Sequence, residues 1–461
     1  MKKIFFLFFL FETSFSQTEK ISTQLTIYND NFALIHEERN VNLNEGINKI
    51  IIDEIPSTID GTSLYFESKT AKDKVKILEQ NFHFDLVHQG KLLEKYLNKE
   101  VEFVRFDETT KKEISFFGKL LSTGFTLSGI DYHNNGNMIA EINGKIEIAP
   151  IGRLLLPSLP EGLITKPQLE WMLENSLKGK HNVEMSYLAK GISWNANYVA
   201  RLSEDDKKID LIGWVTISNS CGTSFQNANL KLVAGDVNIV KEKMQYDRNM
   251  TLGIETFGAS SQFEQKEFFE YKLYSLQRKT NLNNNETKQI EFISSNEIPI
   301  KKSFIYDGIR REKVGVFVNF KNDEKSKLGI ALPKGIVRVY KRDDEEKEQF
   351  IGEDEISHTS KDEEIKLYLG NAFDIVGQRV RKNVEEVRRR EFSETIEITL
   401  KNHKKEDIEI LVYEHPNEFS KWQILESNEK WEKISNGEIK FTLKIPKDGE
   451  KTIIYKIEYE Y

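Results

Sequence analysis

Along most of this chain apolar and polar residues alternate one by one, the period of a strand with a single buried face. The pattern is clearest at the end. Ile453, Tyr455, Ile457, Tyr459 and Tyr461 alternate with polar residues, as do Ile439, Phe441, Leu443 and Ile445 before them. Pro446-Lys447-Asp448-Gly449 supplies the turn between these two runs. Ile396, Ile398 and Leu400 form a third run, and Ile408, Ile410 and Val412 a fourth, with the polar turn Asn402 to Asp407 between them. Four such runs in so short a stretch predict an antiparallel, immunoglobulin-like sandwich over 386–461. The chain ends inside its last strand, so no C-terminal anchor is expected.

The opening reads the same way. Leu25 and Ile27, then Leu34, Val41 and Leu43, are strand positions around the turn Tyr28-Asn29-Asp30-Asn31. Ile47 to Ile52 follows a second turn, Asn44-Glu45-Gly46. One short helix is predicted, capped by Asp85, with Leu86, Leu92, Leu93, Tyr96 and Leu97 as its apolar face and Gly90 weakening it. Short strands follow at Val101-Phe103, Ile114-Phe116, Lys119-Leu121 and Phe125-Leu127, a spacing that suggests a small barrel-like unit ending near Pro150. Leu169, Trp171 and Leu173 alternate and lead through Gly179-Lys180 into Val183, Met185 and Tyr187, so this stretch is read as strand rather than helix. Lys241 to Glu267 has no apolar period and is read as a long flexible loop. The mixed charges of 341–348 fit a solvated hairpin turn. The fold class expected is mainly β: tandem antiparallel β-sandwich domains with a small barrel-like unit and one short helix. The expected divisions are an N-terminal β domain over 17–155, a central sandwich region over 156–385 and the C-terminal sandwich over 386–461.

The first sixteen residues depart from this pattern. Met1-Lys2-Lys3 is basic, Ile4 to Phe11 is wholly apolar, and Ser14-Phe15-Ser16 places small residues around an exit. This is the form of a secretory signal peptide cleaved before Gln17. The apolar run is far shorter than the ~20 residues a membrane-crossing helix needs. A secreted chain, periplasmic or extracellular, with no integral membrane segment after cleavage is therefore expected.

Composition narrows the classes. The 461 residues exceed one ordinary core. The net charge of -8 argues against a nucleic-acid partner, which calls for a basic footprint. The single cysteine, Cys221, precludes an internal disulfide and a cysteine-zinc site. With no His near it in sequence, it is read as a turn residue and not a nucleophile.

Several segments resemble a family of bacterial secreted proteins, the domain of unknown function 4139. They are Leu328-Gly329, Leu332-Pro333-Lys334-Gly335, Val339-Tyr340, Ile351-Gly352-Glu353-Asp354, His358-Thr359 and Leu369-Gly370-Asn371-Ala372-Phe373-Asp374. Upstream, Tyr187-Leu188, Gly191-Ile192-Ser193-Trp194 and Asn227-Ala228-Asn229-Leu230 with Gly235 fit as well, and Leu78-Glu79-Gln80-Asn81-Phe82 resembles the N-terminal half of longer members. The resemblance implies a mostly-β secreted protein and no particular activity, substrate or cofactor.

No phosphate loop, dinucleotide fingerprint, paired metal histidines or serine elbow is present, so no cofactor or metal is expected. The one cluster with candidate chemistry is Glu353, Asp354, His358, Thr359, Glu363 and Asp374. Carboxylates and an imidazole can hold a cation or serve as acid and base, but only if they converge, and neighbouring strand residues face opposite ways. Trp194, Trp214, Trp422 and Trp431 are assigned to core packing; a carbohydrate platform would require them to be exposed together. The chain is thus read as a non-catalytic binding or scaffold protein of the cell envelope, with an envelope protein or polysaccharide as partner. The rival reading is a hydrolase built on Glu353 to Asp374.

Overall fold

The computed structural model describes residues 18–128, 131–134, 136–235, 237–238, 262–268, 271–388 and 391–460. The alternation produces what it predicts. Gly179–Lys190 and Lys208–Asn219, for example, bury every second residue along nearly their whole length. The protein is mainly β, and among the described residues Gln89–Lys95 is the only α-helix.

Three cores organise the strands. The largest draws on residues from Leu25 to Leu367, on both sides of position 155. It lies among an N-terminal sheet, a three-stranded sheet and a middle sheet. The N-terminal sheet runs Phe263–Phe268, Tyr271–Leu276, Phe225–Ala234, Thr18–Tyr28, Phe32–Leu43, Gly179–Lys190, Tyr65–Ser68. The three-stranded sheet sets Gln168–Asn175 between Gly46–Asp53 and Val75–His83. The middle sheet runs Glu286–Pro299, Lys208–Asn219, Ile192–Leu202, Gly335–Arg342, Glu348–Ile356. Trp171, fully buried, meets Phe66 edge-on at 4.7 Å. Trp194 is also buried and donates its indole N–H to the Val233 carbonyl, so its assignment to the core holds.

The second core, Phe304 to Ile457, lies in a two-sheet sandwich. One sheet runs Ile375–Arg388, Glu391–Asn402, Glu450–Glu460, Lys421–Ser427; the other runs Glu364–Asn371, Gly315–Lys321, Lys301–Tyr306, Ile408–Glu414, Glu438–Ile445, Trp431–Ser435. The hairpin Ile375–Arg388/Glu391–Asn402 spans position 386, and Phe304 pairs with Ile410, so the sandwich recruits strands from well before its expected start. That pair is parallel, as are Thr18–Tyr28 with Phe225–Ala234 and Ile192–Leu202 with Gly335–Arg342. Three of the sheets are therefore mixed, while the three-stranded sheet and the sheet that holds Glu450–Glu460 are antiparallel throughout.

The third core is small and belongs to an inserted sheet, order Lys145–Ile148, Ile139–Ile142, Lys112–Ser122, Glu100–Asp107, Arg153–Leu155. Its end strands do not pair with each other, so it is an open sheet and not a barrel. Ile114-Phe116 and Lys119-Leu121 are one strand and not two. Gly118 between them makes no turn: a side chain there would meet Ile142 at 2.6 Å, so glycine permits close packing in mid-strand. The predicted cap is also displaced. Asp85 and Val87 are tied to the extended backbone at Ile164, so the helix starts later, with the His88 ring accepting from the Gly90 N–H at 3.2 Å. Asp85 instead pairs with Lys91.

The predicted loop Lys241–Glu267 lies largely outside the described residues, but its last part does not fit. Phe263–Phe268 is a strand paired with Tyr271–Leu276. Cys221 is buried, as a turn residue between two strands; burial pushes its thiol to about 11, so at neutral pH it is protonated and unreactive. No helix among the described residues is long and apolar enough to cross a membrane.

Candidate binding site

The six residues singled out in the sequence are each held separately. Glu353 and Asp354 are neighbours on Glu348–Ile356 and face opposite ways. Glu353 pairs with Arg338 at 3.1 Å on one face. The Asp354 carboxylate accepts from the Tyr368 N–H at 2.7 Å, joining the middle sheet to a strand of the sandwich. His358 accepts from the Lys334 N–H at 3.1 Å, while the Thr359 hydroxyl donates to the Ser357 carbonyl and its backbone bridges Leu332. Glu363 and Asp374 are exposed; their backbone carbonyls accept from Asn322 and His403. Among the described residues, the one group of three His or acidic side chains within 4.8 Å includes none of the six.

That group is His36, Glu38 and Glu184, on the outer face of the N-terminal sheet. Glu184 lies opposite Glu38, and His36 is two residues along on the same face. An internal cation already fills it. The Lys69 ammonium sits 2.5 Å from Glu38 and 2.8 Å from Glu184, and those bonds hold its pKa well above the usual lysine range. His36 contacts Ser186 at 2.9 Å and Glu184 at 3.4 Å. The arrangement is a closed ion-pair network. Sequence reading missed it because about 150 positions separate Glu184 from its partners.

A more open site lies at one edge of the sandwich. Here the chain leaves the last strand of one sheet, Lys421–Ser427, and enters the last strand of the other, Trp431–Ser435. Asn428 clamps the crossing by donating to the Thr452 carbonyl and accepting from the Ile454 N–H. A bulge between Ile424 and Glu426 turns Leu425 outward. These irregularities open a cleft of about 410 Å³ lined by residues 424–427 and 429–431. Trp431 and Trp422 stand 6.3 Å apart at its side. Trp422 is half-buried, its N–H bonded to the Asn436 carbonyl and its face covered by Lys433 at 4.7 Å. Trp431 is 36 % exposed and lines the cleft. The assignment to the core therefore fails for Trp431, which lies on a strand exposed along its whole length, while Trp422 packs partly buried against the second core. Glu426, Glu429 and Lys430 supply polar groups of both signs around the ring.

The whole is a mainly-β protein of packed sheets that ends in a two-sheet sandwich with an aromatic cleft at its edge. A family model, Domain of unknown function (DUF4139), matches residues 183–461, more than half the chain, and the protein belongs to that family. The match takes in the middle sheet, the sandwich and the cleft, and leaves the inserted sheet outside. No curated protein matches the chain.

Proposed function

We propose that this is an exported, non-catalytic binding protein of the cell envelope that takes a saccharide in the Trp431 cleft. The observation that carries the reading is the partly exposed Trp431 beside Trp422, at an open cleft on the edge of the sandwich. An indole offers a flat apolar face to the C–H side of a sugar ring, and carboxylates and an ammonium around it can bond the hydroxyls. Acidic and basic groups rim the cleft together, which suits an uncharged, hydroxyl-rich ligand better than a polyanion. Of the residues with candidate catalytic chemistry, Glu353, Asp354 and His358 each spend a side-chain group on a bond to Arg338, Tyr368 or Lys334.

Two tests address the proposal. Intact-mass analysis of the exported protein should give a chain starting at Gln17, and a retained Met1 contradicts the envelope placement. The mature protein should also co-sediment with insoluble envelope polysaccharide and be released by soluble oligosaccharide. Protein that stays in the supernatant with every polysaccharide tried contradicts the binding reading.

A further inference from the structure

We propose that two copies of this chain associate through the edge strand Lys145–Ile148 of the inserted sheet, in one antiparallel register. All four residues are exposed, with Ile146 and Ile148 each at 69 %, and among the described residues the strand pairs on one side only, with Ile139–Ile142.

The turn fixes which backbone groups face outward. Asn143 and Gly144, at φ of 51° and 75°, form a two-residue hairpin of the type whose twist matches that of the flanking strands. Ile142 and Lys145 then close the first hydrogen-bonded pair, and pairs alternate from there. Glu141 and Ile146 are a non-bonded pair, so the N–H and C=O of Ile146 point away from the sheet. Those of Ile148 do the same.

A second copy laid antiparallel with Ile146 opposite Ile146 satisfies the outward groups of Ile146, because the two residues exchange both bonds across a two-fold axis, and it sets Ile148 opposite the turn residue Gly144 of the other copy. That register puts Lys145 of each copy directly opposite Glu147 of the other, in the close, non-bonded pairing where side chains interact most. Sliding the centre to Glu147 places two carboxylates face to face and is disfavoured. The self-complementary order Lys-Ile-Glu thus selects the register and a second copy as the occupant. Natural edges are usually blunted by like charge; this one carries alternating charge that matches itself. Ile146 and Ile148 of both copies would then lie together on the face that also carries Phe117, which is 57 % exposed.

One short strand pair lies below the ~1,200 Å² of a stable interface, so the dimer is concentration-dependent and not obligate. The test is sedimentation velocity of the mature chain from low micromolar to roughly millimolar concentration, the range for such contacts. The wild type should shift from monomer to dimer. Lys145→Glu and Glu147→Lys each turn two attractive pairs into repulsive ones and should each weaken dimerisation about tenfold or more. Both positions are exposed, so folding is unaffected. Mixing the two variants restores opposite charges at both pairs and should yield a heterodimer about as tight as the wild-type dimer. A wild type that stays monomeric throughout, single variants that dimerise normally, or a mixture that does not associate would each overturn the proposal.

Discussion

Replacing Arg379 with methionine should destabilise the C-terminal sandwich by ~3–5 kcal/mol, the cost of stranding a buried charge. Glu414 is 1 % exposed at the end of a strand in one sheet. Arg379 from the other sheet bonds it with two nitrogens, at 2.9 Å from Nε and 2.9 Å from Nη2. The Tyr455 hydroxyl, also from that other sheet, donates to the same carboxylate. Burial, together with the adjacent Glu414 charge, pushes the Tyr455 phenol far above its ordinary value, so it remains a donor at any working pH. Removing the guanidinium leaves a carboxylate that water cannot reach. Removing all three polar groups at once, as Arg379→Met/Glu414→Leu/Tyr455→Phe, leaves none uncompensated and should return stability to within about 1–2 kcal/mol of the wild type. Denaturant melts of the two variants check this. A single variant as stable as the triple would mean that the network is solvated and not buried.

Ile457→Asp should lower the melting temperature of the same sandwich by ~10 °C, from a cost of about 4 kcal/mol at roughly 2–4 °C per kcal/mol. Ile457 is 1 % exposed and packs with Ile453, Tyr455 and Phe441. Its neighbour Glu458 turns the other way and accepts from Gln423 at 2.9 Å. Glu458→Lys should therefore cost no more than about 0.5 kcal/mol. Comparing the two melting temperatures tests the strand directly. Equal, small effects would show that Glu450–Glu460 is a loose tail and not an inner strand of a four-stranded sheet.

Period-two patterning made strand after strand legible, because the core selects alternate residues whatever the strand's neighbours are. Val183, Met185 and Tyr187 were readable for that reason, and so were Ile453, Tyr455 and Ile457. Neighbours were not readable. The parallel pairing of Leu25 with Leu230 joins residues more than two hundred positions apart, and nothing local encodes it. Closure is equally non-local: the inserted unit stays open because its two edge strands, Lys145–Ile148 and Arg153–Leu155, do not pair with each other. The split between Ile114-Phe116 and Lys119-Leu121 has a different cause: Gly118 lies between them, and a glycine needed for close packing looks the same in sequence as one needed for a turn. The site was the least legible part. Glu353 and His358 stand near each other in the chain, but separate partners, the Arg338 guanidinium and the Lys334 N–H, hold them apart. Trp431 draws its exposure from the crossing between two sheets, which alternation alone does not reveal.

Intrinsic fluorescence during titration with neutral oligosaccharides shows whether a saccharide is held against Trp431. A glucan oligomer and an N-acetylglucosamine oligomer serve as probes, followed on wild type, Trp431→Ala and Trp431→Phe. The predicted result is a saturable change for at least one probe. Trp431→Ala should lose tenfold or more in affinity, about 1.4 kcal/mol, and Trp431→Phe should keep most of it, with no new reducing ends released. No saturable change with either probe, a Trp431→Ala variant that binds like the wild type, or release of shorter saccharides would rule out a non-catalytic saccharide site at Trp431.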